Sequence, residues 1–170
     1  MNNFKEISPE VLRKNPFQLI GKDWMLITAG DENKVNTMTA SWGGLGVIFG
    51  KNVAYILVRP QRYTKEFLDR EDTFSLSFLD KSYRKTLNYL GSVTGRMEDK
   101  VEKSGLTLAW FDDTPYFGES TNVILCKKLF VQQLHGDGIL DPKLKKTWYP
   151  NEDYHFLYIA EVTKVMKATR

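Results

Sequence analysis

Apolar and polar residues alternate along several parts of the chain, which is the pattern of half-buried β-strands. Residues 73–79 alternate strictly, so Phe74, Leu76 and Phe78 share one face. Residues 53–58 form a continuous apolar run rich in β-branched and aromatic side chains, which predicts a buried strand. Further strands are predicted over residues 24–29, 36–42, 122–134 and 155–168.

Helical spacing is limited to short segments. Tyr83, Leu87 and Leu90 follow one helical face, with Ser82 as the predicted N-cap and Gly91 as the predicted end. A second short helix is predicted to carry Phe67 and Leu68, and residues 115–118 and 141–143 are predicted turns or loops. Because strands outnumber helices without a βαβ rhythm, we predict a mainly β fold, a closed or split antiparallel barrel with short peripheral helices.

Length and composition indicate the number of domains and exclude one kind of partner. A chain of 170 residues with 42% apolar residues is expected to form a single domain over residues 1–170. The 24 basic residues are nearly balanced by 21 acidic ones and are scattered, which argues against a nucleic-acid partner.

The sequence has few residues that could bind a metal and no apolar stretch typical of a secretion signal. Cys126 is the only cysteine, so an intrachain disulfide and a cysteine-based metal site are excluded, and His135 and His155 lie in separate segments. We therefore predict no metal site.

The N-terminus lacks an apolar signal region and the apolar runs are too short to cross a bilayer, so a cytoplasmic protein without membrane contact is expected.

The strand over residues 36–42 carries small polar side chains at alternate positions. Thr37, Thr39 and Ser41 share one face, and Met38, Ala40 and Trp42 share the other. The stretch that follows, residues 44–50, approaches a dinucleotide-binding fingerprint. It has phenylalanine where the third glycine is needed and leads into a strand, so a Rossmann site is rejected.

The turn over residues 59–64 reads R-P-Q-R-Y-T and leads into the short helix. Two guanidinium groups, a threonine hydroxyl and free amides at a helix start are the combination that holds a phosphate. The alternative is a solvated turn whose arginines pair with Glu66, Asp69 or Glu71. These six residues alone do not decide between the two.

The segment over residues 91–100 is a second stretch rich in glycine and hydroxyl groups. Its glycines allow a ligand to approach the backbone, and Ser92, Thr94, Arg96 and Lys100 offer donors. Taken alone, the segment fits an ordinary loop better.

Together, these three segments closely resemble the flavin reductase-like group of FMN-binding split-barrel proteins, which includes the flavoredoxins. The shared parts are an N-x-M-T-x-S-W strand, an R-P-x-R-Y-T turn and a glycine-hydroxyl loop ending in D-K. The resemblance covers residues 24–105, with weaker agreement over residues 155–162. One departure is Thr94-Gly95-Arg96, where relatives often have S-G-R, and the threonine keeps the hydroxyl.

The resemblance implies a homodimer with one non-covalent FMN per subunit near the subunit interface. The residues it assigns to the flavin ring are Asn36, Thr37, Met38, Thr39, Ala40 and Ser41, and Trp42 is assigned to cofactor binding without a specified part of the cofactor. The residues it assigns to the phosphate are Arg59, Arg62, Tyr63, Thr64 and Lys100. Ser92 and Thr94 are placed close to the phosphate or the ribityl chain, and Gly95 is assigned to cofactor binding without a specified part.

The implied function is an oxidoreductase of the NAD(P)H:flavin reductase type, which passes electrons through FMN to free flavin, a metal chelate or a redox partner protein. The chemistry then belongs to the cofactor, no protein side chain is assigned as catalytic, and His155 is expected to be structural or interfacial. The main alternative is a flavoredoxin-like electron carrier without its own NADH or NADPH activity, and the sequence does not separate the two. A ligand-storage barrel without a redox role is a third hypothesis.

Overall fold

An antiparallel sheet of eight strands forms the centre of the computed structural model, which describes residues 2–169. The strands are β1 Asn3–Ile7, β2 Met25–Gly30, β3 Val35–Ala40, β4 Gly43–Ile48, β5 Lys51–Val58, β6 Thr73–Phe78, β9 Asn122–Gln133 and β10 Phe156–Thr169. A separate hairpin pairs β7 Leu108–Phe111 with β8 Thr114–Phe117. The expectation of a mainly β, antiparallel fold is confirmed.

The helices are short and lie around the sheet. They are α1 Pro16–Gln18, α2 Thr64–Arg70, α3 Arg84–Ser92, α4 Lys100–Lys103 and α5 Pro142–Trp148. A π-helical turn, Leu19–Asp23, continues α1, and three-residue 3₁₀ turns occur at Pro9–Val11, Lys81–Tyr83 and Gly136–Gly138. Over residues 2–169, no helix has both the length and the apolar character needed to cross a bilayer.

The sheet curls into a barrel that stays open along one seam. The hydrogen-bonded order is β3-β2-β6-β9-β10-β5-β4, and β1 adds to β10. Strands β3 and β4 are therefore the two ends of this order, yet only Ser41 and Trp42 separate them along the chain. Two residues span only about 7–10 Å, so the two edge strands lie next to each other at this end without pairing.

Side chains that alternate inward fill the barrel. Phe74, Leu76 and Phe78 are all buried in one core cluster, as the strict alternation over residues 73–79 predicts. Tyr158 is fully buried there, and its hydroxyl donates to Asp69 Oδ1 at 2.6 Å, which attaches α2 to the barrel. A second cluster, with Leu87 and Leu90 at its centre, packs α3 against the outside of the sheet.

Two segments predicted as turns are regular elements, and those predictions were wrong. Residues 115–117 belong to β8, where the ladder with β7 pairs Pro115 with Trp110, and only Gly118 lies in a turn. A proline is tolerated because the sheet has only two strands, both of them edges. Residues 141–143 begin α5, with Asp141 as the N-cap that accepts the Lys143 amide at 2.8 Å. Proline at the first helical position fits this start.

The ends of α3 also differ from the prediction. Asp80, and not Ser82, caps the preceding 3₁₀ turn, because its carboxylate accepts the Ser82 amide at 3.0 Å. Gly91 lies inside the helix, which ends at Ser92. Its lack of a side chain serves packing, since a Cβ there would lie 3.1 Å from Thr39 Cβ.

The glycine-rich stretch over residues 44–50 forms a β-hairpin. Ile48 pairs with Lys51, and the two residues between them, Phe49 and Gly50, have positive φ angles of 58° and 68°. This is the geometry of a two-residue type I′ turn. The segment does not open a helix, which agrees with the rejection of a Rossmann fingerprint.

Candidate functional site

A cavity of about 200 Å³ lies where β3, β5 and the start of β10 meet, at the seam of the barrel. Residues of β3 and β5, of the segments that follow each of these strands, of the end of α5 and of the position just before β10 line it. The lining residues are Met38, Thr39, Ala40, Ser41, Trp42, Leu57, Arg59, Arg62, Trp148 and His155. Seven of these ten come from the strand and turn that the sequence singles out, so the structure brings those two segments together.

Helix α3 packs closely on the strand that lines the cavity. The Thr39 hydroxyl donates to the Leu87 carbonyl oxygen at 2.6 Å, and Gly91 lets the helix backbone approach Thr39. The end of α3 and the segment after it are thereby held beside the cavity.

Arg62 is a partly buried cation beside the end of α3. Its Nη1 donates to the Gly91 carbonyl oxygen at 2.8 Å, and within residues 2–169 no carboxylate lies within ion-pair distance of it. Burial lowers the pKa of Arg62, and the nearby charge of Arg59 lowers it further. An anion in this place would be stabilised by a charge that the described residues leave unneutralised.

Lys100 is a second buried cation of the same kind. Only 3% of it is exposed, and its Nζ donates to the carbonyl oxygens of Leu90 and Val93, each at 2.9 Å. Burial lowers the pKa of Lys100 to about 8, and the charge of Arg62 contributes. Lys100 and Arg62 therefore both cap carbonyl oxygens at the end of α3; Arg62 lines the cavity, and Lys100 is not among its lining residues.

Arg59 lines the cavity but is already paired with an acid. Its Nη1 lies 2.7 Å from Asp153 Oδ2, and its Nη2 donates to the Trp148 carbonyl oxygen at 2.8 Å. The alternative in which the two arginines pair with Glu66, Asp69 or Glu71 does not hold, because Asp69 pairs with Lys65 and Glu71 with Arg70. Glu66 pairs with Arg96 instead.

Fewer backbone amides in and after the turn over residues 59–64 are free to donate to a ligand than the sequence indicates. The amides of Arg62, Lys65 and Glu66 donate to carbonyl oxygens of the turn itself, at 3.0–3.1 Å. These three are not free for a ligand, and the expectation of an open helix start is wrong for them. The positive character of the site comes from side chains.

Asn36, Tyr63, Thr64 and Gly95 form a layer behind the cavity. The Asn36 amide donates to Thr64 Oγ1 at 2.8 Å. A Cβ at Gly95 would lie 2.2 Å from Asn36 Oδ1 and 3.1 Å from Tyr63 Cδ1. This layer joins the strand, the turn and the loop over residues 91–100, so all three predicted segments converge.

Three of the predicted hydroxyl groups already bond to the protein and do not line the cavity. Thr37 Oγ1 donates to the Ile27 carbonyl oxygen at 3.1 Å, on the buried side of β3. Ser92 Oγ donates to the Tyr89 carbonyl oxygen at 3.1 Å, and Thr94 Oγ1 accepts the Arg96 amide at 3.3 Å. Ser92 and Thr94 are exposed beside the cavity.

An aromatic wall that the sequence does not reveal closes one side of the cavity. The Trp42 ring lies 4.9 Å from the Trp148 ring, edge to face, and 4.9 Å from the His155 ring. His155 Nδ1 is 2.7 Å from the Tyr149 hydroxyl. Burial and then the charge of Arg59 lower the pKa of His155 to about 4, so the imidazole is neutral near pH 7.

A family model supplies the deciding comparison. Residues 18–169 match the model of the flavin reductase like domain. The chain belongs to this family.

The flavin reductase-like chain also resembles solved structures at low sequence identity, which supports the fold. An FMN-binding domain of a flavin reductase-like enzyme from Shewanella baltica is 17% identical, with a TM-score of 0.70 over 98% of this chain and 78% of that one. The flavoredoxin of Desulfovibrio vulgaris is 20% identical, with a TM-score of 0.67 over 96% and 78%.

A third structure of this kind is the NADH:FAD oxidoreductase SgcE6 of Streptomyces globisporus, in complex with NAD and FAD fragments. It is 15% identical, with a TM-score of 0.63 over 85% of this chain and 74% of that one. No curated protein matches the flavin reductase-like chain.

Proposed function

We propose that this flavin reductase-like chain binds FMN in the cavity beside β3 and acts as an oxidoreductase of the NAD(P)H:flavin reductase type. The observation that carries the proposal is a pair of cations, the partly buried Arg62 and the buried Lys100, which have no carboxylate partner among residues 2–169. A phosphate dianion matches such a pair, because it accepts several charge-assisted hydrogen bonds and neutralises both charges.

The other end of the cavity suits a flat ring system. The end of β3 presents the small residues Ala40 and Ser41, so a ring can approach the backbone, and Trp42 offers an aromatic edge. In the proposed pose the ring lies along residues 38–42, and the ribityl chain passes Arg62 toward Lys100. Arg59 contributes positive charge and fixes the end of α5 through Trp148.

A bound flavin would supply the redox chemistry, accepting two electrons from NADH or NADPH and passing them to free flavin, a metal chelate or a partner protein. The protein binds the phosphate, orients the ring and places positive charge near it. The neutral His155 belongs, with Trp42 and Trp148, to the aromatic wall on one side of the cavity.

A homodimer is part of the proposal. Strand β9 extends beyond its pairing with β6, and its exposed part carries Leu129, Phe130 and Val131 as three consecutive half-exposed apolar residues. An apolar surface of this kind on a single chain is typical of an interface. A second copy on it would extend the protein surface around the cavity.

The test is reconstitution. Purified protein titrated with FMN is expected to become yellow, with one flavin bound per chain, and the flavin absorbance is expected to bleach when NADH or NADPH is added without oxygen. A protein that does not bind FMN after reconstitution would remove the proposal.

The flavoredoxin-like carrier remains a second candidate, because the flavoredoxin of Desulfovibrio vulgaris has the same fold with 20% identity. FMN would then bind as tightly, but NADH and NADPH would reduce it slowly and a reduced ferredoxin would reduce it quickly. Stopped-flow absorbance with the three donors separates the two candidates.

A further inference from the structure

Tyr149 and His155 form a buried pair beside the aromatic wall of the cavity. The Tyr149 hydroxyl lies 2.7 Å from His155 Nδ1, and the two residues are only 6% and 8% exposed. Tyr149 directly follows α5, and His155 directly precedes β10. The distance is that of a hydrogen bond, so one of the two side chains supplies the proton between them.

Tyr149 is the donor of this hydrogen bond. Burial raises the pKa of Tyr149, and burial followed by the charge of Arg59 lowers the pKa of His155 to about 4, so both side chains are neutral near pH 7. The Tyr149 hydroxyl donates to no other atom of residues 2–169. If the imidazole were the donor, the phenol proton would be buried without an acceptor, which is destabilising.

The position of the imidazole proton follows from this donor. A neutral imidazole carries one proton, and because Nδ1 accepts a hydrogen bond, that proton is on Nε2. Nε2 makes no hydrogen bond to residues 2–169 and is not enclosed, since the enclosed side-chain atoms without a partner in that part of the chain are the hydroxyls of Tyr89 and Tyr154. His155 lines the cavity, so its N–H is open to a molecule bound there.

The side chains next to His155 call for an acceptor on the ligand. The Trp42 ring lies 4.9 Å from the His155 ring, and the charge of Arg59 acts on His155. An indole and a guanidinium donate hydrogen bonds and do not accept them. An oxygen with partial negative charge is therefore the group that this side of the cavity stabilises, and a cation is disfavoured.

We propose that Tyr149 is a positioning residue that holds His155 as the Nε2–H tautomer, and that this N–H donates to a carbonyl oxygen of a flat ring system in the cavity. The inference rests on the proposed function, because the ring system is the flavin or a nicotinamide beside it. No proton is transferred. The hydrogen bond strengthens when that oxygen gains negative charge.

A purely structural role for this pair makes a different prediction. The contact between Tyr149 and His155 would then serve only to hold the end of α5 to the start of β10. Such a role requires the two rings to touch, but it does not depend on which nitrogen faces the ligand with a proton. The tautomer and its response to a ligand therefore separate the two roles.

The test uses the full-length protein labelled with ¹⁵N at histidine. Two-bond ¹⁵N–¹H correlation spectra near pH 7 distinguish a protonated ring nitrogen from an unprotonated one. His155→Gln assigns the signals, and the exposed His135 is the internal reference. In wild type we expect a protonated Nε2 and an unprotonated Nδ1 at His155. In Tyr149→Phe, which keeps the ring, part of the population is expected to carry the proton on Nδ1.

Tyr154→Phe is the matched control. The Tyr154 ring lies 4.9 Å from the Tyr149 ring, and its hydroxyl is enclosed without a partner, so the substitution removes one hydroxyl from the same place without touching His155 Nδ1. We expect the tautomer of His155 to be unchanged in this variant.

FMN and then NAD⁺ are added to the labelled protein. The Nε2–H proton is expected to shift downfield and to exchange more slowly with water, with FMN alone if the flavin supplies the carbonyl, or only after NAD⁺ if the nicotinamide does. The affinity for that ligand is expected to fall about three- to tenfold in Tyr149→Phe and to stay within about twofold in Tyr154→Phe. In a His155→Gln background, Tyr149→Phe should have no further effect.

A proton on Nδ1 in the wild-type protein would overturn the inference. An FMN-loaded protein whose Nε2–H signal responds to neither ligand would also overturn it, as would equal affinities in Tyr149→Phe and Tyr154→Phe. A wild-type protein that binds no FMN would instead refute the proposed function, so the two failures are distinguishable.

Discussion

The side chain of Asn36 donates a buried hydrogen bond of 2.8 Å to Thr64 Oγ1, which joins strand β3 to the first residue of α2. The bond holds the two sides of the site together without contributing to the cavity wall. Thr64→Val would leave the buried Asn36 amide without this partner. We expect a loss of about 1–3 kcal/mol in the free energy of unfolding, measured by urea denaturation.

A double-mutant cycle with Asn36→Ala and Thr64→Val is the control for this bond. The double variant should be less destabilised than the sum of the single variants, since removing both partners leaves no unpaired group. Additive losses would show that the hydrogen bond does not couple the two residues.

Gly95 allows the loop over residues 91–100 to pack against β3. In Gly95→Ala the new Cβ would lie 2.2 Å from Asn36 Oδ1, so the loop has to move. We expect a loss of about 1–3 kcal/mol in stability and weaker FMN binding. Gly138→Ala is the matched control, because a Cβ there meets no atom within 4 Å. Similar effects of the two substitutions would argue against tight packing at Gly95.

Arg62 is expected to contact the phosphate directly. Losing a hydrogen bond to a charged group costs about 1.5–3 kcal/mol, so Arg62→Ala should weaken FMN binding about ten- to a hundredfold by fluorescence titration. Riboflavin, which lacks the phosphate, should bind almost equally to both proteins. Equal losses for the two ligands would mean that the substitution disturbs α3 through the lost bond to Gly91 and not the phosphate.

Lys100 should make FMN affinity depend on pH. Its pKa is about 8 in the free protein, and a bound phosphate would raise that pKa by favouring the protonated amine. FMN affinity is therefore expected to fall as the pH rises above about 8, by up to about tenfold per pH unit. Titrations between pH 6.5 and 9.5 measure this, with riboflavin as the ligand control. Parallel curves for FMN and riboflavin, or an unchanged FMN curve in Lys100→Met, would contradict the role of Lys100.

His155 should affect stability in acid. Its pKa falls from 6.5 to about 4 because the folded protein buries the imidazole. Between these values the unfolded chain binds the proton and the folded one does not, so stability is lost as the pH falls from about 6.5 to about 4, by at most about 3 kcal/mol. Urea denaturation of wild type and His155→Gln across this range is the measurement. The variant should have a smaller slope, and identical slopes would mean that His155 titrates normally.

The strands were predictable from the sequence where one face is buried. The alternation of Phe74, Leu76 and Phe78 corresponds directly to an inward face of β6. The hairpin of β7 and β8 was missed because Pro115 and Gly118 are turn residues in most contexts, and only pairing with β7 makes residues 114–117 a strand. The start of α5 carried a readable signal, since Asp141 and Pro142 are a typical N-cap and first helical residue.

The candidate site was predictable only where its residues lie close together in the sequence. Residues 38–42 and 59–62 lie in compact motifs, and the structure places both on one cavity. Trp148 and His155 reach the same cavity from the far part of the chain, and no local pattern marks them. The sequence also could not show that Arg59 is paired, because Asp153 is 94 positions away.

The two-residue link between β3 and β4 forms part of the cavity wall. Ser41 and Trp42 line the cavity and are also the only residues between the two edge strands of the barrel. A residue inserted here would lengthen the link and turn the following side chains to the opposite face. The shape of the cavity wall is thus coupled to chain length at one point of the barrel, the seam between its two edge strands.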